Sequence, residues 1–574
     1  MKKTFKTMLA LMAGAVAFTA CSNDDIIENV NEQKTSALKP MTFTASMEGQ
    51  DGASRATIDG LDIKWEAGDK ISIFDGGDAD TDGNLAREFT LTDGSGTTSG
   101  TFKGTADEAT TYYALYPYAT STYEVEDITV DNSYLGKIGI DWQELITAWE
   151  DFHSKNREKS IDEFIEGVPA FSKMSAEKKA IIKAYLSNEP YKKITKSGVQ
   201  RNADNQFEEV VLPAEQTVAE GQYVDPAAML MIGESDDAHS LQFKNVCAYV
   251  EVTPTFDCNS ISLKSKGTES LAGTLTVDYN NGTPTTTVTA NGTNTVTLSG
   301  AITADKTYYI AVRPETLESG FIIYFTTADS KYKKSTSKAV TFTRNKVTEL
   351  GSFATSSLTQ IAGKAAATIG GETVNVPWIQ LWAGGPKWAV YNVGATSVTD
   401  YGGYYCWGGT YNNNPKLEGF SWTNDRSDVL NLSGDTDTAT KLWGSNWRMP
   451  TKDELGKGEE DEMSGEFTIT GGLPYECTCT WVNNYNGTGV NGLLCTGKGD
   501  YSTNSIFLPA AGYSINNATI RLESQGAAGN YWSSECSDNY YKNSYYMDFS
   551  SNSLRMDPYG YRYTCCSVRA VLVE

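Results

Sequence analysis

Histidine is almost missing from this chain: His153 and His239 are the two among 574 residues, and none follows position 239. Acid–base and nucleophilic catalysis commonly need a His beside a Ser or Cys, so the C-terminal third reads as a non-enzyme and no cofactor is expected. Zinc is disfavoured for the same reason, and Cys477-Thr478-Cys479 is too tight for the usual ligand spacing. Basic residues are also scarce, 47 Lys and Arg against 72 Asp and Glu, for a net charge of -25 and a pI near 4.6. That balance argues against nucleic acid or an anionic membrane surface as partner. No Gly-rich loop with its Lys is present to cradle a phosphate. The apolar run Met8 to Phe18 is too short to span a bilayer stably.

What the chain has is glycine, 52 residues, and tyrosine, 32, with charged residues at 21%, the composition of a β-rich extracellular protein. Its length implies three or four domains. Lys2, Lys3 and Lys6 precede the short apolar run, and Phe18-Thr19-Ala20-Cys21 resembles a lipobox. The resemblance implies a signal peptide over 1–20, lipidation at Cys21, a tether over 21–39 and an outer-membrane anchor. A plain secretory signal with an incidental Cys21 is the other reading. Ser22-Asn23-Asp24-Asp25 resembles the acidic signal that sends Bacteroidota lipoproteins to the outer surface. Nine further cysteines leave at least one unpaired in an oxidising compartment.

From Met41 the pattern is β, with strands at Met41 to Ala45, Ile63 to Trp65, Lys70 to Phe74 and Thr111 to Pro117. The phrase Trp65-Glu66-Ala67-Gly68-Asp69-Lys70-Ile71 with Tyr116-Pro117 resembles fimbrillin-type proteins, the subunits and accessory proteins of type V pili. So do Phe243 to Val252, Thr307 to Pro314 and Phe342 to Val347. This implies two transthyretin-like β-sandwich domains, 40–225 and 226–355. Arg55 is a candidate processing site, since cleavage after a comparable basic residue opens a groove in such pilins for a partner subunit's donor strand; an ordinary loop arginine is the alternative. Two or three amphipathic helices are expected within about 139–195: Trp142, Leu145, Ile146, Trp149 and Phe152 share one face, and Ser160 to Glu163 reads as a capping box. Asp78, Asp80 and Asp82 have the spacing of a calcium loop, but Phe89 stands at the twelfth position, so an acidic hairpin loop is the better reading and no metal is expected. The small, polar stretch 356–373 reads as an interdomain linker.

The last forty-five residues organise the rest. Tyr531-Trp532-Ser533-Ser534 and Ser567-Val568-Arg569-Ala570-Val571 read as fixed scaffold, while 21 of the 32 residues from Glu535 to Cys566 are Tyr, Asn, Ser, Asp or Cys. Met547 and Phe549 alternate with Tyr546, Asp548 and Ser550 as in a strand with one buried face. Tyr gives contact area at low entropy cost and Ser, Asn and Asp adapt, so the composition suits recognition. Together with Trp447 to Leu455, Phe507 to Tyr513 and Trp388 to Ala395, these motifs resemble the C-type-lectin-like domain at the C-termini of Bacteroidales surface lipoproteins. Some of those are variable proteins of diversity-generating retroelements, whose randomised codons yield this residue set, including Cys536, Cys565 and Cys566. The fold expected is thus mainly β with a helical insertion, ending in an α+β C-type-lectin-like domain over 374–574. Neither Glu-Pro-Asn nor Trp-Asn-Asp is present at Trp532-Ser533-Ser534, so ligand contact is expected to be direct rather than through calcium.

The expected ligand residues are Asp538, Asn539, Tyr540, Tyr541, Asn543, Tyr546, Asp548, Asn552, Arg555, Asp557, Tyr559, Tyr561 and Tyr563. The ligand would be a protein or glycan on another cell or host surface. A pilus-tip or accessory adhesin is the leading reading, with donor-strand exchange to pilus subunits implied by the resemblance. A structural pilus anchor or cap and a fixed-specificity glycan-binding lectin are the alternatives.

Overall fold

Alternation of apolar and polar residues puts about half of the described residues into strands, as expected. The computed structural model describes residues 38–48, 63–75, 85–157, 159–202, 204–235, 240–279, 282–409, 431–460, 467–517, 519–537 and 543–573. Among these, no helix is long and apolar enough to cross a membrane.

Seven strands close into a ring: Lys39–Met47, Ser240–Asn245, Met231–Ser235, Tyr112–Tyr116, Lys70–Phe74, Arg87–Asp93 and Ser99–Ala106. Trp65 fills it, its edge-to-face partners Phe102, Tyr116 and Phe243 lying 4.9, 5.2 and 5.6 Å away. Asp69 of the same phrase accepts hydrogen bonds from the Tyr116 hydroxyl at 3.2 Å and the Glu66 amide at 2.7 Å. The residues that carried the first resemblance are therefore one packed unit.

The division at 225/226 is corrected. Gln206–Leu212 pairs with Ala272–Asp278 and Glu215–Val218 with Thr295–Ile302, so strands from the first segment complete sheets of the second. Conversely, Met231–Ser235 and Ser240–Asn245 close the ring of the first. One hydrophobic core runs continuously from Phe43 to Phe353. Ladder hydrogen bonds are made by backbone, which carries no residue signature of its partner, so composition could not place this crossing.

The insertion rides on a two-stranded ribbon, Ser121–Ile128 with Tyr191–Gly198. It holds five helices rather than two or three, and starts before 139: α1 Asn132–Lys137, α2 Trp142–Lys155, α3 Ile161–Gly167, α4 Pro169–Ser172 and α5 Ala176–Ser187. Two of them, α1 and α4, are too short to show a periodic stripe. The Ser160/Glu163 capping box is present, and Asp141 caps α2 by accepting from the Gln143 and Glu144 amides. Leu135, Leu145, Phe164, Phe171, Ile181 and Ile182 form a separate small core. Trp142, expected on the buried face, is instead 37% exposed, because it stands at the first turn beyond that core.

The expected linker is also corrected. Thr359–Ile369 and Glu372–Gln380 form a hairpin inside a ten-stranded sheet, which runs from Glu215–Val218 through Lys331–Ser335 and this hairpin to Lys387–Ala389, Val571–Leu572 and Trp447–Arg448. The C-terminal domain is therefore joined to the rest by continuous strand pairing. Beside the hairpin, Asp500 receives Lys333 at 3.0 Å and the Ser335 hydroxyl at 2.8 Å, and Tyr501 packs with Ile322, Tyr324 and Ile361. Asn504 donates to the carbonyls of Ile361 and Gln380.

Candidate ligand-binding face of the C-terminal domain

The two ends of the last forty-five residues are buried scaffold, as read from the sequence. Arg569 is fully buried. Its guanidinium donates to Asn392 Oδ1 at 2.9 Å and to the carbonyls of Ala389, Val390 and Phe507 at 3.0, 2.6 and 2.8 Å. Burial lowers its pKa to about 10, with nearby Tyr531 working against the shift; it remains a cation at neutral pH. Tyr531 donates to the Pro509 carbonyl at 2.8 Å, Trp532 Nε1 to Tyr405 O and Trp407 Nε1 to Ser533 O, both at 2.9 Å. These bonds knit 388–395, 507–513, 531–534 and 567–571 together, which is why such distant motifs occur in one chain. Arg448 and Glu454 form a bidentate pair at 2.6 and 2.7 Å, and Thr451 caps the short helix Lys452–Gly456.

On this scaffold sits a sheet of three antiparallel strands, Ala528–Cys536, Asn543–Ser550 and Leu554–Tyr561. Tyr531, Met547 and Met556 lie across from one another and face one core, with Phe549 and Leu554 in the next row. The opposite face carries Asn530, Asp548 and Arg555 in one row and Trp532 and Tyr546 in another. Asp548 accepts from Asn530 Nδ2 at 3.2 Å and Arg555 Nε at 3.1 Å. Tyr546 packs edge-on against Trp532, ring centroids 5.7 Å apart. Gly560 makes room for that pair: a Cβ there would lie 2.5 Å from Tyr546 and 2.7 Å from Trp532.

The structure divides the expected ligand residues. Asn543 and Tyr561 are register partners at the end where Tyr563 also lies. Tyr561 is 55% exposed and stacks on Tyr563, centroids 5.1 Å apart and rings 11° from parallel. Asn552 is exposed at the turn on the opposite end, about 23 Å away along a strand rising about 3.3 Å per residue. Asn543, expected at the surface, is buried; its carbonyl accepts from the Ser537 amide and Arg562 Nε. Tyr546 is half-buried against Trp532, and Asp548 and Arg555 are engaged with each other. Asp557 and Tyr559 belong to the strand Leu554–Tyr561. Asp538, Asn539, Tyr540 and Tyr541 lie outside the described residues, as do Cys21, Arg55, Asp78, Asp80 and Asp82.

Several residues that shape this end were not read from the sequence as structural. Arg562 is buried with its guanidinium 4.2 Å from the Trp407 ring centroid. Cys406 and Cys565 form a disulfide that ties Tyr405–Cys406 to Cys565–Cys566. Cys566 is packed in the core, so these two cysteines, read as members of the variable set, are structural. A second disulfide joins Cys479 to Cys495. Arg562 sits between two tyrosines in a polar run, and only the alternation of that run hinted at an inward side chain. A cavity of about 410 Å³ beside Ser534 and Glu535 is lined also by Ser433, Asp437, Arg448 and Thr451. Burial raises the pKa of Asp437, although amide hydrogen bonds from Thr440 and Met449 oppose the shift. Among the described residues no group of three or more His, Cys, Asp or Glu could hold a metal ion.

No family model matches the sequence, and no curated protein matches it. Solved structures overlap it at low similarity. A candidate cell adhesion protein from Bacteroides ovatus is 11% identical and covers 56% of this chain and 95% of its own length, with a TM-score of 0.27. Another from Bacteroides uniformis is 13% identical over 57% and 98%, with a TM-score of 0.26. A fimbrial protein from Bacteroides ovatus is 12% identical over 94% and 100%, with a TM-score of 0.18. At such values the overlap carries no functional argument, and the reading of this chain rests on the geometry of its own C-terminal face.

Proposed function

We propose that this chain is a cell-surface recognition protein, lipid-anchored through Cys21, whose β-rich N-terminal part carries a ligand-binding C-type-lectin-like domain. Its place would be a pilus tip or accessory position, or a free-standing adhesin. The observation that supports the reading is the Tyr561–Tyr563 stack, with Tyr561 55% exposed beside the buried scaffold of 531–534 and 567–571. Rigid aromatic residues on a rigid base bind with little ordering cost.

Alanine replacement of Tyr540, Tyr541, Tyr559 and Tyr561 together tests the reading. Loss of cell or glycan binding with an unchanged melting profile is expected; undiminished binding would overturn it. Sequencing codons 530 to 566 across sibling isolates tests the retroelement component. Substitutions confined to the adenines of a nearby template repeat are expected, and an invariant segment without a repeat would leave a fixed adhesin.

A further inference from the structure

The Tyr561–Tyr563 pair presents a stack of two nearly parallel rings, with Tyr561 more than half exposed. The face of an aromatic ring carries negative charge density and attracts cations. The surrounding charge reinforces this, with 21 Asp and Glu against 13 Lys and Arg from 374 to 574. Such an excess raises the local concentration of positively charged groups and repels anionic ones.

Among the described residues, the cations of this sheet are already committed. Arg555 is held by Asp548, and Arg562 is buried over Trp407. Cations lie over rings elsewhere in the structure: Lys452 is 4.6 Å from the Tyr545 centroid in the same sheet, and Lys333 of the second β region is 4.4 Å from that of Tyr501. A neutral sugar stacking on Tyr561 would need polar side chains beside the ring. Among the described residues, the register partner Asn543 is buried.

We infer that the Tyr561–Tyr563 stack receives a Lys or Arg side chain of a protein partner, the cationic head lying over the exposed face of Tyr561. This rests on the reading of the C-terminal face as a binding surface and names the chemistry it selects. A single ring contributes little, so the partner is a protein whose remaining surface meets neighbouring parts of the domain, rather than a small free cation.

The test uses the full chain and two probes, a (Gly-Arg)4 peptide and its citrulline counterpart, which keeps shape and hydrogen bonding but loses the charge. Saturable binding of the arginine peptide is expected, about twofold to fivefold weaker in Tyr561→Leu, which removes the quadrupole and keeps both apolar bulk and net charge. The citrulline peptide should not bind. An arginine-peptide Kd unchanged in Tyr561→Leu overturns the inference, because the attraction is then nonspecific charge. So does equal binding of the citrulline peptide, or a neutral oligosaccharide such as maltohexaose binding in a Tyr561-dependent way. Loss of cell binding in Tyr561→Ala without any arginine-peptide binding refutes the cationic partner and leaves the recognition role standing. No change in either assay refutes both.

Discussion

Lys333 Nζ lies 3.0 Å from the Asp500 carboxylate and 4.4 Å from the ring centroid of Tyr501, so one lysine of the second β region grips two consecutive residues of the C-terminal domain. Lys266 approaches the same carboxylate at 3.4 Å and Ser335 donates to it at 2.8 Å. The Tyr324 hydroxyl donates to the Asp500 carbonyl at 3.0 Å. These contacts tie residues 500 and 501 to the second β region.

Replacing Asp500 with Ala should cost about 2 kcal/mol, since it removes a charge-assisted bond and leaves lysines without their acceptor. Hydrogen exchange of the amides at 499–504 should quicken in the variant. Burial alone would raise the Asp500 pKa, but Ser335 and Lys333 outweigh it and hold the pKa below the ordinary 3.8. The folded state thus binds the proton less readily than the unfolded chain. The stability this pair contributes is present above the usual Asp range and is lost as pH falls through the lowered pKa. A urea midpoint that declines with acid more steeply in the native chain than in Asp500→Ala is the expected result.

Lys331 gives a dependence in the alkaline range. Burial, reinforced by Lys264, lowers its pKa from 10.5 to about 8, although its ammonium donates to Thr503. Between about pH 8 and 10.5 the unfolded chain binds more protons at this position than the folded one, so its contribution to stability rises with pH across that window. The difference in unfolding free energy between the native chain and Lys331→Met should grow by titration over this range. A flat difference would mean that the ammonium is not desolvated.

Arg569 should tolerate no substitution. Arg569→Met strips donors from three carbonyls and Asn392 in a buried site, costing about 3 kcal/mol or more. Arg569→Lys should fail to rescue it, because one ammonium cannot reproduce the planar fork. Chemical denaturation of both variants checks this.

Gly560→Ala should cost about 1–3 kcal/mol by overpacking, because the new methyl meets the Tyr546 and Trp532 rings. Tyr561 lies next to it in the chain, so the variant should also weaken any Tyr561-dependent binding. A stability loss without that weakening would show that the stack is positioned independently of the Tyr546–Trp532 pair.

Much of the architecture was legible because it is written in neighbouring residues. The alternation around Met547 and Phe549 marked a strand with one buried face, both side chains being buried. Ser160 and Glu163 marked a helix start that the structure contains. Tyr531 to Ser534 and Ser567 to Val571 read as scaffold and are scaffold. Other elements were not legible. The Ala-rich stretch before Gly370 looked like a linker, since small side chains give no stripe, yet its backbone pairs from Ala362 to Ile369 with Glu372 to Ile379. Asn543 looked like surface, yet it is buried, with its carbonyl accepting from the Ser537 amide and Arg562 Nε.

The sequence by itself determined the strand-rich character, the helical insertion and the composition of the C-terminal end, because periodicity, caps and residue type act over a few neighbours. The tertiary structure alone decided that strands cross between the two N-terminal regions and that Cys406 reaches Cys565 across 159 positions. It also decided that Tyr561 and Tyr563 stand together while Asn552 stands apart. Those outcomes depend on backbone pairing and burial between segments far apart in the chain, and such contacts leave no mark in the order of adjacent residues.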